Sequence, residues 1–218
     1  MKNLERPQLD LTLYLVTDST GLTEEEFFFR VEQACRGGVT MLQLREKERS
    51  GREYLSLAKK VKNIADRYRI PLLIDDRVDV ALAVDAAGVH VGQSDLPVSV
   101  ARRLLGPHKI IGATAKTVPQ ALEAQKQGAD YLGVGAIFPT TTKVKTVLTK
   151  VETLCEICRV VRIPAVAIGG LNAENLSVLK GCPVGGVAVV SAIMKQEDPE
   201  AAARSLKQAI LTLRREEI

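Results

Sequence analysis

Tryptophan is absent from this 218-residue chain, and aromatic residues make up only 4% of it. Single-stranded nucleic acid is usually gripped by aromatic faces on which bases stack, and that platform is missing here. An excess of charge of one sign is missing too. The formal net charge is +4, with lysines and arginines spread along the chain, a balance that suits small anionic ligands and leaves no nucleic-acid footprint. No apolar run reaches the length of a membrane span, and the start "MKNLERPQLD" lacks a signal-peptide core, so a cytoplasmic protein without a membrane partner is expected.

Side chains for several common chemistries are scarce as well. Four cysteines, Cys35, Cys155, Cys158 and Cys182, are too few in a chain this long for a disulfide framework. "CEIC" at 155–158 has CxxC spacing, but no second pair completes a metal site, and it reads as small apolar residues packing on a helix. The two histidines, His90 and His108, leave few candidates for acid–base work. His90 reads as a hydrogen-bonded structural residue within a strand, and His108, beside Pro107, as a surface one. There is no nucleophile elbow, zinc cluster or Ser-His-Asp set. A reaction that needs mainly charge stabilisation of a leaving group fits this inventory.

What is present is an alternation. Short β-rich runs fall at 13–16, 39–44, 71–75, 88–91, 109–113, 131–135, 165–168 and 186–190. Helical spacing of apolar residues fills the intervals at 24–35, 52–68, 78–84, 98–105, 118–127, 151–161, 173–180 and 199–213. Strands apolar on both sides, such as "AVAI" and "GVAVV", suit a parallel sheet buried on both faces. The segments "RGGVTMLQL", "DAAGVHVG", "KQGADYLGVG" and "PVGGVAVVS" echo one another before strands two, four, six and eight. No GxGxxG follows the first strand, which removes the main argument for an open doubly wound sheet. The expected fold is α/β, a single (β/α)8 TIM barrel spanning 1–218, with 1–11 a short N-terminal extension.

In such a barrel the residues at the strand ends gather on one rim. Here they form an ionic set: Gln43, Arg45 and Lys47 after strand two, Asp75 and Asp76 after strand three, and His90, Gln93 and Asp95 around the end of strand four. Thr114 and Lys116 follow strand five, and Thr140, Thr141, Thr142 and Lys143 follow strand six. Gly169-Gly170 and Val190-Ser191 close the last two strands. Their backbone N–H groups suit a monophosphate, although Gly-Gly also makes a tight turn with no ligand. Arg45, Lys47 and Lys143 face Asp76 and Asp95. These groups either neutralise one another as salt bridges or hold Mg2+ for a pyrophosphate, since Mg2+ takes one or two carboxylates plus phosphate oxygens.

Six stretches, "LYLVTD", "QLREK", "IDDRVDVALAVDAAGVHVGQSD", "FPTTTK", "AIGGL" and "VVSAI", occur in register from about Leu13 to Ile193. Together they resemble the thiamine-phosphate synthase (thiamine-phosphate pyrophosphorylase) family. The resemblance implies a transferase of thiamine biosynthesis that joins hydroxymethylpyrimidine diphosphate to a thiazole phosphate and releases pyrophosphate. By resemblance, Arg45, Lys47 and Lys143 would contact pyrophosphate, Asp76 and Asp95 would hold Mg2+, and Gln43 and Thr140 would line the pyrimidine pocket. Thr142, Gly170, Val190 and Ser191 would receive the thiazole phosphate. Asp75 and Thr114 join the substrate-binding set, and Thr114 joins Arg45, Lys47 and Lys143 as catalytic. The expected partners are these small molecules, with a homo-oligomer left open. Asp75 stands where the family usually has Asn, Thr114 replaces Ser, Lys116 replaces a frequent His, and Lys145 lies where an acid is common. A thiazole tautomerase-like isomerase on the same barrel is one alternative, but it would rely on a histidine at the Lys116 position. A non-catalytic phosphate-binding barrel is the other.

Overall fold

Eight short strands and the helices between them carry the whole chain pattern. In the computed structural model, which describes residues 9–140 and 147–215, the strands are β1 Leu13–Val16, β2 Met41–Leu44, β3 Leu72–Asp75, β4 Gly88–Val91, β5 Ile110–Ala115, β6 Tyr131–Gly135, β7 Ala165–Ile168 and β8 Gly186–Val189. All pair in parallel with their sequence neighbours, and β8 pairs back to β1, which closes the barrel. The helices are α1 Glu24–Arg36, α2 Gly51–Arg67, α3 Val78–Ala83, α4 Val98–Leu105, α5 Val118–Lys126, α6 Val151–Val160, α7 Ser191–Met194 and α8 Pro199–Arg215. The single (β/α)8 TIM barrel expected from the sequence is the observed fold.

Two departures have local causes. The helix expected at 173–180 is only a 3-10 turn, Leu176–Leu179, because Asn172 and Asn175 bond each other's backbone and hold the chain in a turn. The cysteines also differ from expectation. Cys155 on α6 is paired with Cys182 beyond the 3-10 turn, their Cα atoms 5.0 Å apart, so one cysteine of the CxxC is a bridge partner and not packing alone. Cys35 and Cys158 are free thiols.

Period-two alternation in each strand builds two cores. Leu13, Leu15, Leu42, Leu44, Leu72, Ile74, Val89, Ile111, Leu132 and Val187 face the helices. Tyr14, Val16, Met41, Leu73, Ile110, Tyr131, Val166 and Ala188 fill the barrel with Leu11 at its floor. The helices are held at their starts by capping boxes, Thr23 with Glu26 on α1 and Ser50 with Glu53 on α2. On α2, the buried Tyr54 hydroxyl donates to Leu44 O at 2.7 Å. This ties the helix to the strand end from which Arg45 leaves.

Candidate active site

The same alternation decides which polar groups point into the barrel mouth. Gln43 follows Met41 by two residues, Asp75 follows Leu73, and Thr114 follows Gly112, so each faces inward above the apolar floor. Thr114 lies inside β5 instead of beyond it, because its pairing with Gly133 and that of Ala115 with Val134 continue the ladder. His90, inward on β4, is hydrogen-bonded through both ring nitrogens, and His108 is exposed. Both match their sequence readings.

Arg45 and Lys47 leave β2 over the same mouth. Lys47 Nζ lies 2.8 Å from Asp75 Oδ2 and also bonds Asp76, while Arg45 Nε stands 3.9 Å from Asp75 Oδ2. Asp75 is almost fully buried, so its charge needs these partners. They account for an acid where the resemblance leads one to expect Asn. For Lys47, burial opposes the charged form, but the Asp75 carboxylate and hydrogen bonds to Asp75 and Asp76 outweigh it and hold the ammonium pKa above its ordinary value.

Asp76 sits just past β3 with φ at 59°, a left-handed conformation that Asp tolerates better than most residues. Its N–H donates to His90 O at 2.8 Å, tying the turn to β4. Asp95 Oδ2 accepts from Gly92 N–H at 2.7 Å. Burial, and then a hydrogen bond shared with Asp76, push the Asp95 carboxyl above the usual carboxylate range. The two carboxyls expected to hold a metal are therefore neighbours. Among the described residues, no group of three or more His, Cys, Asp or Glu is arranged to hold a metal, but a pair of carboxylates suits the Mg2+ habit. Charge supports the fit. Arg45 and Lys47 stand against three carboxyls, Asp75, Asp76 and Asp95, so these groups offer a pyrophosphate little excess positive charge without a cation.

On the opposite side of the mouth, β7 leads into Gly169 and Gly170 at φ 101° and 66°. A Cβ on Gly170 would lie 2.6 Å from Phe138 Cβ, so only glycine fits there. Asn175 Nδ2 donates to Gly170 O at 2.9 Å and fixes this turn. Beside it, β8 ends at Val189, Val190 follows, and Ser191 opens the short helix α7, whose first N–H groups have no acceptor within the helix. Lys116 Nζ donates to Val147 O at 3.0 Å, and Thr140 is half-buried at the rim. Thr141, Thr142, Lys143 and Lys145 lie outside the described residues.

The mouth thus joins a mixed cation–carboxylate cluster to a glycine turn and a helix start on one barrel rim. The thiamine monophosphate synthase family model matches residues 13–193. The chain belongs to that family. It is 59% identical over 191 residues to thiamine-phosphate synthase 2 of Streptococcus pneumoniae, covering 88% of this chain and 91% of that one. It is 56% identical over 187 residues to the thiamine-phosphate synthase of Enterococcus faecalis, covering 86% and 88%. A solved structure titled thiamine phosphate pyrophosphorylase, from Pyrococcus furiosus, superposes with a TM-score of 0.84 at 40% identity, covering 94% of this chain and 97% of that one. The chain is accordingly an enzyme, a transferase of thiamine biosynthesis. Among the described residues, no helix is long and apolar enough to cross a membrane.

Sequence reasoning missed Tyr14 and Tyr131, which stand below Gln43 and His90 with both hydroxyls hydrogen-bonded. One signal was there to be read. Gly112 and Gly133 are inward glycines on adjacent strands, and such glycines make room for large neighbours.

Proposed function

We propose that this synthase joins hydroxymethylpyrimidine diphosphate to a thiazole phosphate, giving thiamine phosphate and pyrophosphate, with Mg2+. The observation that carries this reading is the cluster of Arg45, Lys47, Asp75, Asp76 and Asp95 at the barrel mouth. Arg45 and Lys47 bind the diphosphate and, with Lys143, neutralise charge as the pyrimidine-methyl C–O bond breaks and its electron pair leaves with pyrophosphate. The thiazole nitrogen supplies the lone pair for the new C–N bond, so no general base is needed. Asp76 and Asp95 would hold Mg2+, which when bound offsets the carboxylates and stabilises the departing pyrophosphate. Gln43 and Thr140 orient the pyrimidine. Thr142, Gly170, Val190 and Ser191 receive the thiazole phosphate. A cytoplasmic location follows from the same reading.

The test is incubation of the purified protein with both substrates and Mg2+. Thiamine phosphate and pyrophosphate should appear in equal amounts, a chelator should stop the reaction, and excess Mg2+ should restore it. No product in the presence of Mg2+ would overturn the reading.

A further inference from the structure

Five inward side chains from five strands form one hydrogen-bonded chain across the barrel. Gln43 Nε2 donates to Tyr14 Oη at 2.5 Å, and Tyr14 Oη lies 2.8 Å from Tyr131 Oη. Tyr131 Oη is 2.9 Å from His90 Nδ1, and His90 Nε2 is 3.0 Å from Thr114 Oγ1. At the two ends, Gln43 orients the pyrimidine in the site proposed above, and Thr114 is in the substrate-binding and catalytic sets that the family resemblance implies. The three residues between them have no part in that proposal.

A hydroxyl carries one proton and two lone pairs, so the chain runs one way when each hydroxyl spends its proton inside it. With the Gln43 amide N–H aimed at Tyr14, the Tyr14 proton goes to Tyr131 and the Tyr131 proton goes to His90 Nδ1. A neutral imidazole that accepts at Nδ1 carries its hydrogen on Nε2 and donates it to Thr114 Oγ1. The Thr114 proton is then left over for an acceptor outside the chain. In the opposite sense, Thr114 would spend its proton on His90 and offer only lone pairs to the mouth. A diphosphate has acceptor oxygens throughout and needs the donor.

We propose that Tyr14, Tyr131 and His90 are positioning residues that form a one-way hydrogen-bond relay, locking His90 as its Nε2–H tautomer so that Thr114 presents its hydroxyl proton to the diphosphate. The role given to Thr114 rests on the synthase reading; the relay does not. Burial keeps both tyrosines protonated by pushing their phenol pKa values well up, so each has its proton to pass on. The sequence also sets space aside for the relay. A Cβ on Gly112 would fall 2.1 Å from Tyr131 Cζ, and one on Gly133 would fall 3.1 Å from His90 Cε1. The edge-on contact of the Tyr14 and Tyr131 rings holds the middle of the chain rigid.

The experiment is a two-bond nitrogen–proton NMR correlation on substrate-free protein carrying nitrogen-15 histidine. Only His90 and His108 contribute, and the His108→Gln variant assigns them. The relay requires His90 in the Nε2–H form. An Nδ1–H form, a tautomeric average or a charged ring near neutral pH would overturn it, whether or not the protein makes thiamine phosphate. Tyr131→Phe should release the tautomer and lower kcat by about tenfold or more, with little change in KM for the thiazole phosphate. Thr114→Val should lower kcat at least as far, and adding Tyr131→Phe to it should cost almost nothing further, because both act through one donor. Additive losses, or a Tyr131→Phe protein with an unchanged tautomer, would sink the proposal.

Discussion

Lys47 has the most demanding position of any residue at the mouth. Its ammonium is shared by Asp75 and Asp76, yet the proposed reaction asks it to meet a diphosphate as well. Mg2+ between Asp76 and Asp95 would relieve that competition by taking one carboxylate partner. Lys47→Ala should therefore lower turnover by about a hundredfold or more. It should also raise the Mg2+ concentration needed for half-maximal rate, because the buried Asp75 then draws on the metal for compensation. Steady-state kinetics across a Mg2+ series check both; an unchanged rate would remove Lys47 from the reaction. Asp75 makes the same point about legibility. The sequence shows an extra acid, but its near-complete burial against Lys47 and Arg45 shows how the charge is tolerated.

The elements are positioned by their ends. Both capping boxes depend on ionised carboxylates. The Glu26 carboxyl is held below its ordinary value by the backbone and then the side chain of Thr23, and Glu53 by the side chain and then the backbone of Ser50. A carboxyl depressed on folding adds stability that is complete above its unfolded value of 4.5. That stability is lost as pH falls through the lower folded value. Melting temperature should thus fall between about pH 6 and about pH 3 by less in a Glu26→Gln, Glu53→Gln variant than in the parent. Thermal scans at the two pH values decide this, and equal falls would refute it. Element type and most strand boundaries were legible, because β-branched runs and 3.6-residue spacing are local signals. The 3-10 turn at Leu176–Leu179 was not, since the Asn172–Asn175 bonds that replace a helix there are a matter of side-chain geometry.

Across the whole molecule the two ends of the barrel have different tasks. At the end opposite the mouth, Arg102 on α4 donates to Gly106 O at 2.9 Å, Lys109 O at 2.7 Å, Gly128 O at 2.9 Å and Asp130 Oδ2 at 2.7 Å. Asp130 in turn accepts from Ile111 N–H at 2.8 Å. This network fastens the loops that enter β5 and β6. Arg102→Ala takes the guanidinium from the Asp130 carboxylate and from three backbone carbonyls, and should cost about 2–4 kcal/mol of stability. At a temperature where the variant stays folded, its kcat and KM should match the parent, because the proposed site sits on the other rim. Denaturant titration with parallel kinetics tests this; a changed kcat would show that the two ends are coupled.

The sequence by itself determined the barrel, its strand order and the residues that leave the strand ends, because parity along a strand and glycine-stopped helices act over a few residues. It also placed Arg45, Lys47, Asp76 and Asp95 on one rim. Only the tertiary structure decided how they pair: Lys47 against two carboxylates, and Asp95 against Asp76. It alone revealed the Cys155–Cys182 pair and the chain from Gln43 through Tyr14, Tyr131 and His90 to Thr114. These contacts join residues from different parts of the chain, in one case 117 positions apart in sequence. Closing the barrel brings them within hydrogen-bond reach, and no local pattern encodes that distance.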